Sequence, residues 1–427
     1  MTTSDLLLPE GTRLLHLGPQ KTGTTGIQLA LHRRREVLRE HGVVYPGKGT
    51  RPREPIWAVL GHPSPDNRPA PRIERWHALC REVEEAGDLR VCISDESLGK
   101  AELDGAMAVV EGLGGPRAHI VAAARRLDTL LPSQWQQRVK MRAISLSWED
   151  WLEIVLNDNP DHPVWRNIWV PHGIGGLVER WVKATGDPDR FTLVVADESD
   201  RTLLPRTFEQ MLGLPEGLLI DAATDVRNPS LSYGRIEAIR KLNRAFDEHD
   251  WPDDPSLRLR IRATDQLKTG TPWPEEQKIP PLPPWAAERV AELNAQRAEL
   301  VRHLGVRVIG DPDNLLGSPP TGAAVAPGPI MVSAELAGHA VAEVIDEAVN
   351  RSRVQQAAYE RRLRRLERKL HKAEKAAARA RARAQKKAGG RPAAKAKQAP
   401  GPSVDQLTAR QLVGVLRQRA VRRLTRR

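Results

Sequence analysis

The chain has 427 residues, with 66 Lys+Arg against 54 Asp+Glu, a formal net charge of +12 and a sequence pI near 10.0. Residues 351–427 hold 25 basic and 4 acidic residues, a net of +21, which leaves residues 1–350 at −9. The charge therefore describes an acidic body with a basic tail, and a polyanion-binding class is excluded for the chain as a whole.

All eleven tryptophans, Trp57 to Trp285, lie in the body, which is long enough to bury a core without metal or disulfide staples. Two cysteines, Cys80 and Cys92, build neither a disulfide framework nor a four-cysteine zinc site, so a reducing compartment is expected. The twelve histidines show no HExxH or HxH spacing, so no metal site is expected. No signal peptide is evident, and no stretch approaches the roughly 18 apolar residues of a membrane span. The expected location is cytoplasmic, with no transmembrane segment.

In chain order, near-continuously apolar runs occur at Arg13–Leu17, Leu89–Ser94, His119–Ala124, Phe191–Ala196 and Val306–Ile309. Such runs predict strands covered on both faces. Amphipathic stretches between them, among them Gly26–His41 and Ile174–Ala184, predict helices. Alternating strand and helix implies crossover connections and an α/β fold: a three-layer parallel sheet flanked by helices. The predicted body is 1–317. The Pro/Gly/Ala-rich run Gly310–Val332 predicts a linker, set at 318–333, and 334–427 reads as a basic helical, partly disordered tail. In the tail, Ala334–Val349 and Arg351–Lys387 read as helices. Leu363, Leu366, Leu370, Ala373, Ala377, Ala380 and Ala384 follow a 3–4 spacing along one face, a weak coiled-coil seam. A second linker, Gly389–Pro402, precedes a basic amphipathic helix opened by the capping pattern Ser403-x-x-Gln406.

The segment Leu14–Gln28, LLHLGPQKTGTTGIQ, carries the clearest chemistry. A strand runs into Gly18-Pro-Gln-Lys-Thr-Gly23 and then into a helix beginning near Thr25. This has the two-glycine frame of a phosphate-binding loop, whose amides and helix N-terminus cradle an anion. A nucleoside-triphosphate site would continue with Lys and Ser/Thr; here Thr24 and Thr25 follow, and the lysine is inside the loop as Lys21. That argues against ATP or GTP hydrolysis and for another phosphorylated donor.

Lys21-Thr-Gly-Thr-Thr25 resembles the 5′-phosphosulfate loop of the sulfotransferase family that uses 3′-phosphoadenosine 5′-phosphosulfate (PAPS) as donor. The resemblance implies a P-loop NTPase-like sulfotransferase fold, PAPS as donor, 3′,5′-ADP as product and no metal. Gly18, Lys21, Thr22, Gly23, Thr24 and Thr25 would bind the donor, with Lys21 on the leaving phosphate and the hydroxyls of Thr24 and Thr25 on the 5′-phosphate. Arg125, at a strand end, and Ser133, eight residues on at the start of the next helix, would bind the 3′-phosphate. Val43-Val-Tyr-Pro-Gly47, Trp165-Arg166, Trp181, Phe208–Pro215, Arg227–Ser232 and Val306–Asp311 also resemble segments of bacterial members, so the likeness spans about 12–316. Two departures stand out. Gly26 replaces the tryptophan that many members stack on adenine, leaving Trp135 as a substitute. The basic segment that closes over the 3′-phosphate is not recognisable, with Lys268-Thr-Gly-Thr and Arg227-Asn-Pro-Ser as stand-ins.

Sulfuryl transfer requires a base for the acceptor proton. The strand Leu89–Ser94 ends in Asp95-Glu96-Ser97, and a carboxylate there faces the ligand crevice of an open α/β sheet. Glu96 is the first choice, Asp95 an alternative while the register is open, and His62 a third. The expected reaction moves a sulfuryl group to a hydroxyl or amine of a small-molecule, carbohydrate or lipid acceptor. The competing expectations are a P-loop kinase, or a non-catalytic scaffold whose tail binds nucleic acid or an anionic membrane surface.

Overall fold

The computed structural model describes residues 6–63, 69–224, 231–248, 261–268, 278–317 and 332–387. The chain divides into two compact units, residues 1–344 and 345–427. In the first unit β1 (Arg13–His16) leads through a loop into α1 (Thr24–Arg33) and α2 (Arg35–Glu40). β2 (Val43–Val44), α3 (Arg53–Val59), α4 (Glu74–Glu85), β3 (Arg90–Ser94), α5 (Leu103–Gly112) and β4 (Ala118–Ala124) follow. Then come α6 (Leu127–Lys140), α7 (Trp148–Leu156), α8 (Pro163–His172), α9 (Ile174–Thr185) and β5 (Phe191–Val195). After these lie α10 (Leu203–Leu212), α11 (Ile220–Thr224), α12 (Tyr233–Glu248), α13 (261–268), α14 (Pro284–Arg302) and β6 (Arg307–Ile309). The helix α15 (Ala334–Lys387) begins in the first unit and supplies the described part of the second.

Among the described residues, six strands form one all-parallel sheet in the order β2-β3-β1-β4-β5-β6. Alternate side chains enter opposite cores, as a period of two requires. On one face Leu15, Ile93, Ile120, Ala122 and Leu193 pack against α4, α5 and α9. On the other, Leu14, Cys92, Val121, Ala123 and Val194 pack against α1 and α10. Both faces are covered, which is why the strands read as unbroken apolar runs. A third cluster is helical, formed by α6, α7 and α12–α14, with Trp135, Trp148 and Trp151 at its centre; Leu336 and Ala340 of α15 join it.

The strands match their sequence-predicted positions to within a residue, and β2 is additional. The helix expected over 26–41 is divided at Arg34, and the two helices expected between 334 and 387 are one. Residues 310–317 are part of the body: Pro312–Leu315 forms a 3-10 turn whose Leu315 is fully buried. The linker at 389–402, the helix expected at 403–427, Arg227-Asn-Pro-Ser230 and Thr269–Thr271 lie outside the described residues.

The order of strands fixes where a ligand meets the sheet. From β1 the chain leaves toward β2, on one side; from β4 it leaves toward β5, on the other. β1 and β4 are neighbours, so the loops after them diverge and leave a crevice at their carboxyl ends.

Candidate active site

The loop after β1 is anchored to β4 at its first two residues: the Leu17 amide donates to Val121 O, and the Ala123 amide to Gly18 O at 2.8 Å. Gly18 has φ +87, and a Cβ there would stand 3.2 Å from Glu96 Cγ, so glycine lets the loop close on that carboxylate. Gly23, with φ +94, caps α1 in the left-handed region. Lys21 has φ +69 without being glycine, a conformation that costs about 1–2 kcal/mol and is characteristic of functional loops. The Thr22 hydroxyl donates to Pro19 O at 2.7 Å and closes the loop internally. No acidic residue lies in the first turn of α1, so its N-terminal amides face the crevice without a competing carboxylate of their own helix.

Arg125, at the end of β4, reaches this loop: its Nη1 donates to Lys21 O at 3.1 Å. Its other nitrogens grip Glu198, with Nε on Oε1 at 2.5 Å and Nη2 on Oε2 at 2.9 Å. The Thr129 hydroxyl also donates to Glu198 Oε1, at 3.0 Å. Burial pushes the Glu198 carboxyl up, but the hydrogen bond and charge of Arg125 prevail and hold it below the usual carboxylate range. Ser133 lies one turn beyond Thr129, inside α6 rather than at its start, and its hydroxyl donates to Thr129 O at 3.2 Å.

The Arg125 backbone is fixed from α14. Arg297 Nη1 donates to Arg125 O at 2.9 Å, and Asn294 Oδ1 accepts from the Leu127 amide at 3.0 Å. On the other side of the loop, Gln134 of α6 donates to Gln20 O at 3.0 Å and to His172 Nε2 at 2.8 Å. Burial, with Arg297, Arg138 and Lys100 adding, holds His172 neutral, as an accepting Nε2 requires.

A cavity of about 420 Å³ opens beside the loop, lined by Lys21, Thr22, Gly23 and Arg125 on its polar side and by Ile27, Leu203 and Leu204 among its apolar residues. Cationic groups converge near it. Lys21 is lowered from the ordinary lysine value by burial and then by Arg125; Lys140 is lowered to about 8 by burial and then by Lys21 and Lys268. Positive charge thus gathers where desolvation and like-charge repulsion disfavour it, and an anion would relieve both.

At the end of β3 the register is settled. Asp95 is fully buried and its Oδ1 accepts from the Ser97 amide at 2.8 Å, a turn-closing role, with Arg51 Nε 3.7 Å from Oδ2. Glu96 faces the loop: Oε1 accepts from Thr24 Oγ1 at 3.0 Å, and Oε2 pairs with Arg51. The Thr24 hydroxyl, expected on a phosphate, is therefore committed to Glu96, while Thr25 is exposed at the loop's lip. His62 follows α3 and lies within electrostatic reach of Asp95 and Lys100. Burial first, then Lys100, depresses its pKa, with Asp95 opposing, which leaves the imidazole neutral at pH 7. His16 is a core residue, its Nδ1 2.7 Å from Ser94 Oγ.

Trp135 is not an adenine platform. It is fully buried, donates Nε1 to Leu146 O and packs on Trp148 at 5.5 Å. Sequence reasoning missed Glu198, Arg51, Lys140, Gln134 and Arg297. A trace of Arg297 was available: Asn294 and Arg297 are polar residues one turn apart on the buried face of α14. Glu198 carries no such trace, because Asp197, Glu198 and Asp200 are equivalent acids in one loop. No helix among the described residues is long and apolar enough to cross a membrane. Among the described residues no cluster of three metal-ligating side chains occurs. The chain matches no protein-family model and no curated protein.

Proposed function

We propose that the chain is a sulfotransferase that moves a sulfuryl group from PAPS to a hydroxyl or amine of a carbohydrate, lipid or small-molecule acceptor. The observation that carries this reading is the meeting of the loop lysine with the strand-end arginine, 104 residues apart, through the bond from Arg125 Nη1 to Lys21 O. A P-loop NTPase-like reading of the fold is supported by the Gly18–Gly23 loop that joins a central strand to α1.

The cavity fits such a donor in its main features. It offers cationic Lys21 and Arg125, an amide-lined loop, and an apolar wall of Ile27, Leu203 and Leu204 for a purine in place of the missing tryptophan. Two features oppose it: Glu198 already occupies the guanidinium face that a 3′-phosphate would take, and Asp197 and Asp200 also line the cavity, so its acids match Lys21, Arg125 and Arg201 in number.

When bound, PAPS supplies a sulfuryl group whose bond to the 5′-phosphate oxygen breaks as the acceptor's oxygen or nitrogen bonds to sulfur. Lys21 holds positive charge at the leaving phosphate. Arg125, with Thr129 and Ser133 beside it on α6, holds the 3′-phosphate once Glu198 yields. Glu96 accepts the acceptor's proton, which requires Arg51 to move off Oε2. His62 is the other candidate base: its depressed pKa leaves the imidazole neutral and free to accept a proton, but makes it a weaker acceptor.

The test is thermal. Stabilisation by 3′,5′-ADP without Mg²⁺ is expected, about 2.7 kcal/mol at a hundredfold excess over Kd. Stabilisation by Mg-ATP alone would favour a kinase and overturn the reading. Lys21→Ala is expected to abolish transfer with circular dichroism unchanged, and Glu96→Gln to slow it by about 10²–10⁴-fold.

A further inference from the structure

The described part of the second unit is a single helix with an unpartnered apolar stripe. Ile345, Val349, Tyr359, Leu363, Leu366 and Leu370 follow a heptad pattern of first and fourth positions, which Ala373–Ala384 continues with small side chains. Tyr359 is 73% exposed, Ile345 56% and Leu366 54%. Large apolar groups left in water at heptad spacing call for a second helix.

The flanking charges say which helix. Between 351 and 384 the only acidic residues are Glu360, Glu367 and Glu374, seven residues apart, all on one flank of the stripe. Arg362 and Lys369 stand on the opposite flank. In a parallel, in-register pair of identical helices, Arg362 of one faces Glu367 of the other, and Lys369 faces Glu374, each twice by symmetry. An antiparallel pair would set glutamates against glutamates and cations against cations. Ser352 and Gln356 interrupt the stripe with polar layers, which cost stability and fix register when each meets its own copy.

We propose that residues 345–374 form a parallel, in-register two-stranded coiled coil with a second copy of this chain. The occupant is committed by self-complementarity: the stripe, the acidic flank and the basic flank match a copy of themselves. The alanine stretch beyond 374 adds little buried area, so the zipper is strongest at Tyr359–Leu370.

Sedimentation of the full chain is expected to give about twice 47.5 kDa; a monomer at tens of micromolar overturns the proposal. Two charge variants at exposed positions leave the helix itself intact. Arg362→Glu with Lys369→Glu, and separately Glu367→Lys with Glu374→Lys, are each expected to weaken the dimer by more than about tenfold. Mixing the two is expected to restore it as a heterodimer; unchanged masses throughout overturn the proposed seam. Direction is read from Ser352→Cys in a Cys80→Ser background, oxidised with diamide. A disulfide-linked dimer is expected, and a dimer by mass that fails to cross-link overturns the parallel arrangement. A chain that gains mass only when RNA or anionic vesicles are added points to those partners instead and also overturns it.

Discussion

Arg125 and Glu198 are the residue pair on which the proposed donor site turns. Both are partly exposed, so the pair itself is worth at most about 1 kcal/mol to stability. Its effect on the proposed donor is larger, because two carboxylate oxygens occupy the donors that a phosphate would use. Glu198→Gln is expected to bind 3′,5′-ADP several-fold more tightly, with the melting temperature little changed; calorimetric titration reads the difference. Tighter binding would identify Glu198 as a placeholder, whereas weaker binding would mean that it holds Arg125 in its binding pose. The lysines set a pH dependence. Lys140 titrates near 8 in the folded chain, against an ordinary value of 10.5, and Lys21 is also lowered. A bound dianion raises both, so binding takes up protons where the free protein has lost them. Affinity for 3′,5′-ADP is therefore expected to fall from pH 7 to 9. Calorimetry in buffers of different ionisation heat should show proton uptake over that range. The sign for stability is opposite: between about 8 and 10.5 the unfolded chain binds more protons at Lys140, so its unfavourable contribution fades as pH rises.

At the scale of elements, the two ends of the sheet use the same residue type for different work. Arg13 opens β1 at the amino end, fully buried, with Nη1 on Gly11 O and Leu89 O and Nη2 on Gly87 O, each at 2.8 Å. It ties the turn before β3 to the start of β1. Arg125 closes β4 at the carboxyl end, half-buried and facing the crevice. Arg13→Ala is expected to cost about 3–5 kcal/mol of stability by urea unfolding. Arg125→Ala should cost under about 1 kcal/mol and weaken 3′,5′-ADP binding by about 2 kcal/mol or more. Sequence reading could single out Arg125 as a candidate because it follows a strand pattern and lies about 100 residues beyond a phosphate-loop pattern. It had no way to assign Arg13, whose partners are carbonyls on a turn 74 and 76 residues away. The strands were legible for a simple reason, since burial on both faces leaves an unbroken apolar run. β2 was not, because two residues carry no periodicity. The break at Arg34 was hidden as well: His32–Glu40 is a run of helix-compatible residues with no glycine or proline to mark a stop.

Across the whole molecule, charge segregation was the most legible property and the least specific. A body at −9 keeps Lys21 and Arg125 at one crevice, with Lys140 near enough to Lys21 to be repelled by it. The tail's surplus gains meaning only with helical register, when its three glutamates fall on one flank of the apolar stripe. The residues proposed to bind a donor could be singled out because they lie in one contiguous loop and at one strand end. The contacts that restrain them come from α14, from α6 and from the loop after β5, and no local pattern encodes contacts over such sequence separations. Departures from expectation cluster at the crevice: Thr24 on Glu96, Glu198 on Arg125 and Arg51 on Glu96. In each case an acid and its partner have satisfied one another where a ligand was expected.

The hydrogen bond from Thr24 to Glu96 has a thermodynamic consequence. It joins the first residue of α1, where the donor's phosphate is proposed to rest, to the carboxylate proposed to face the acceptor. A phosphate that drew the Thr24 hydroxyl toward itself would strip Glu96 of a stabilising proton donor and make it the stronger base. A positively charged acceptor that drew Glu96 away would free Thr24 for the phosphate. The two occupancies are then reciprocal: whatever factor one imposes on the affinity of the other is returned unchanged. Such coupling fixes no order of addition; it makes each substrate prepare the seat of the other, so the two would bind with positive cooperativity.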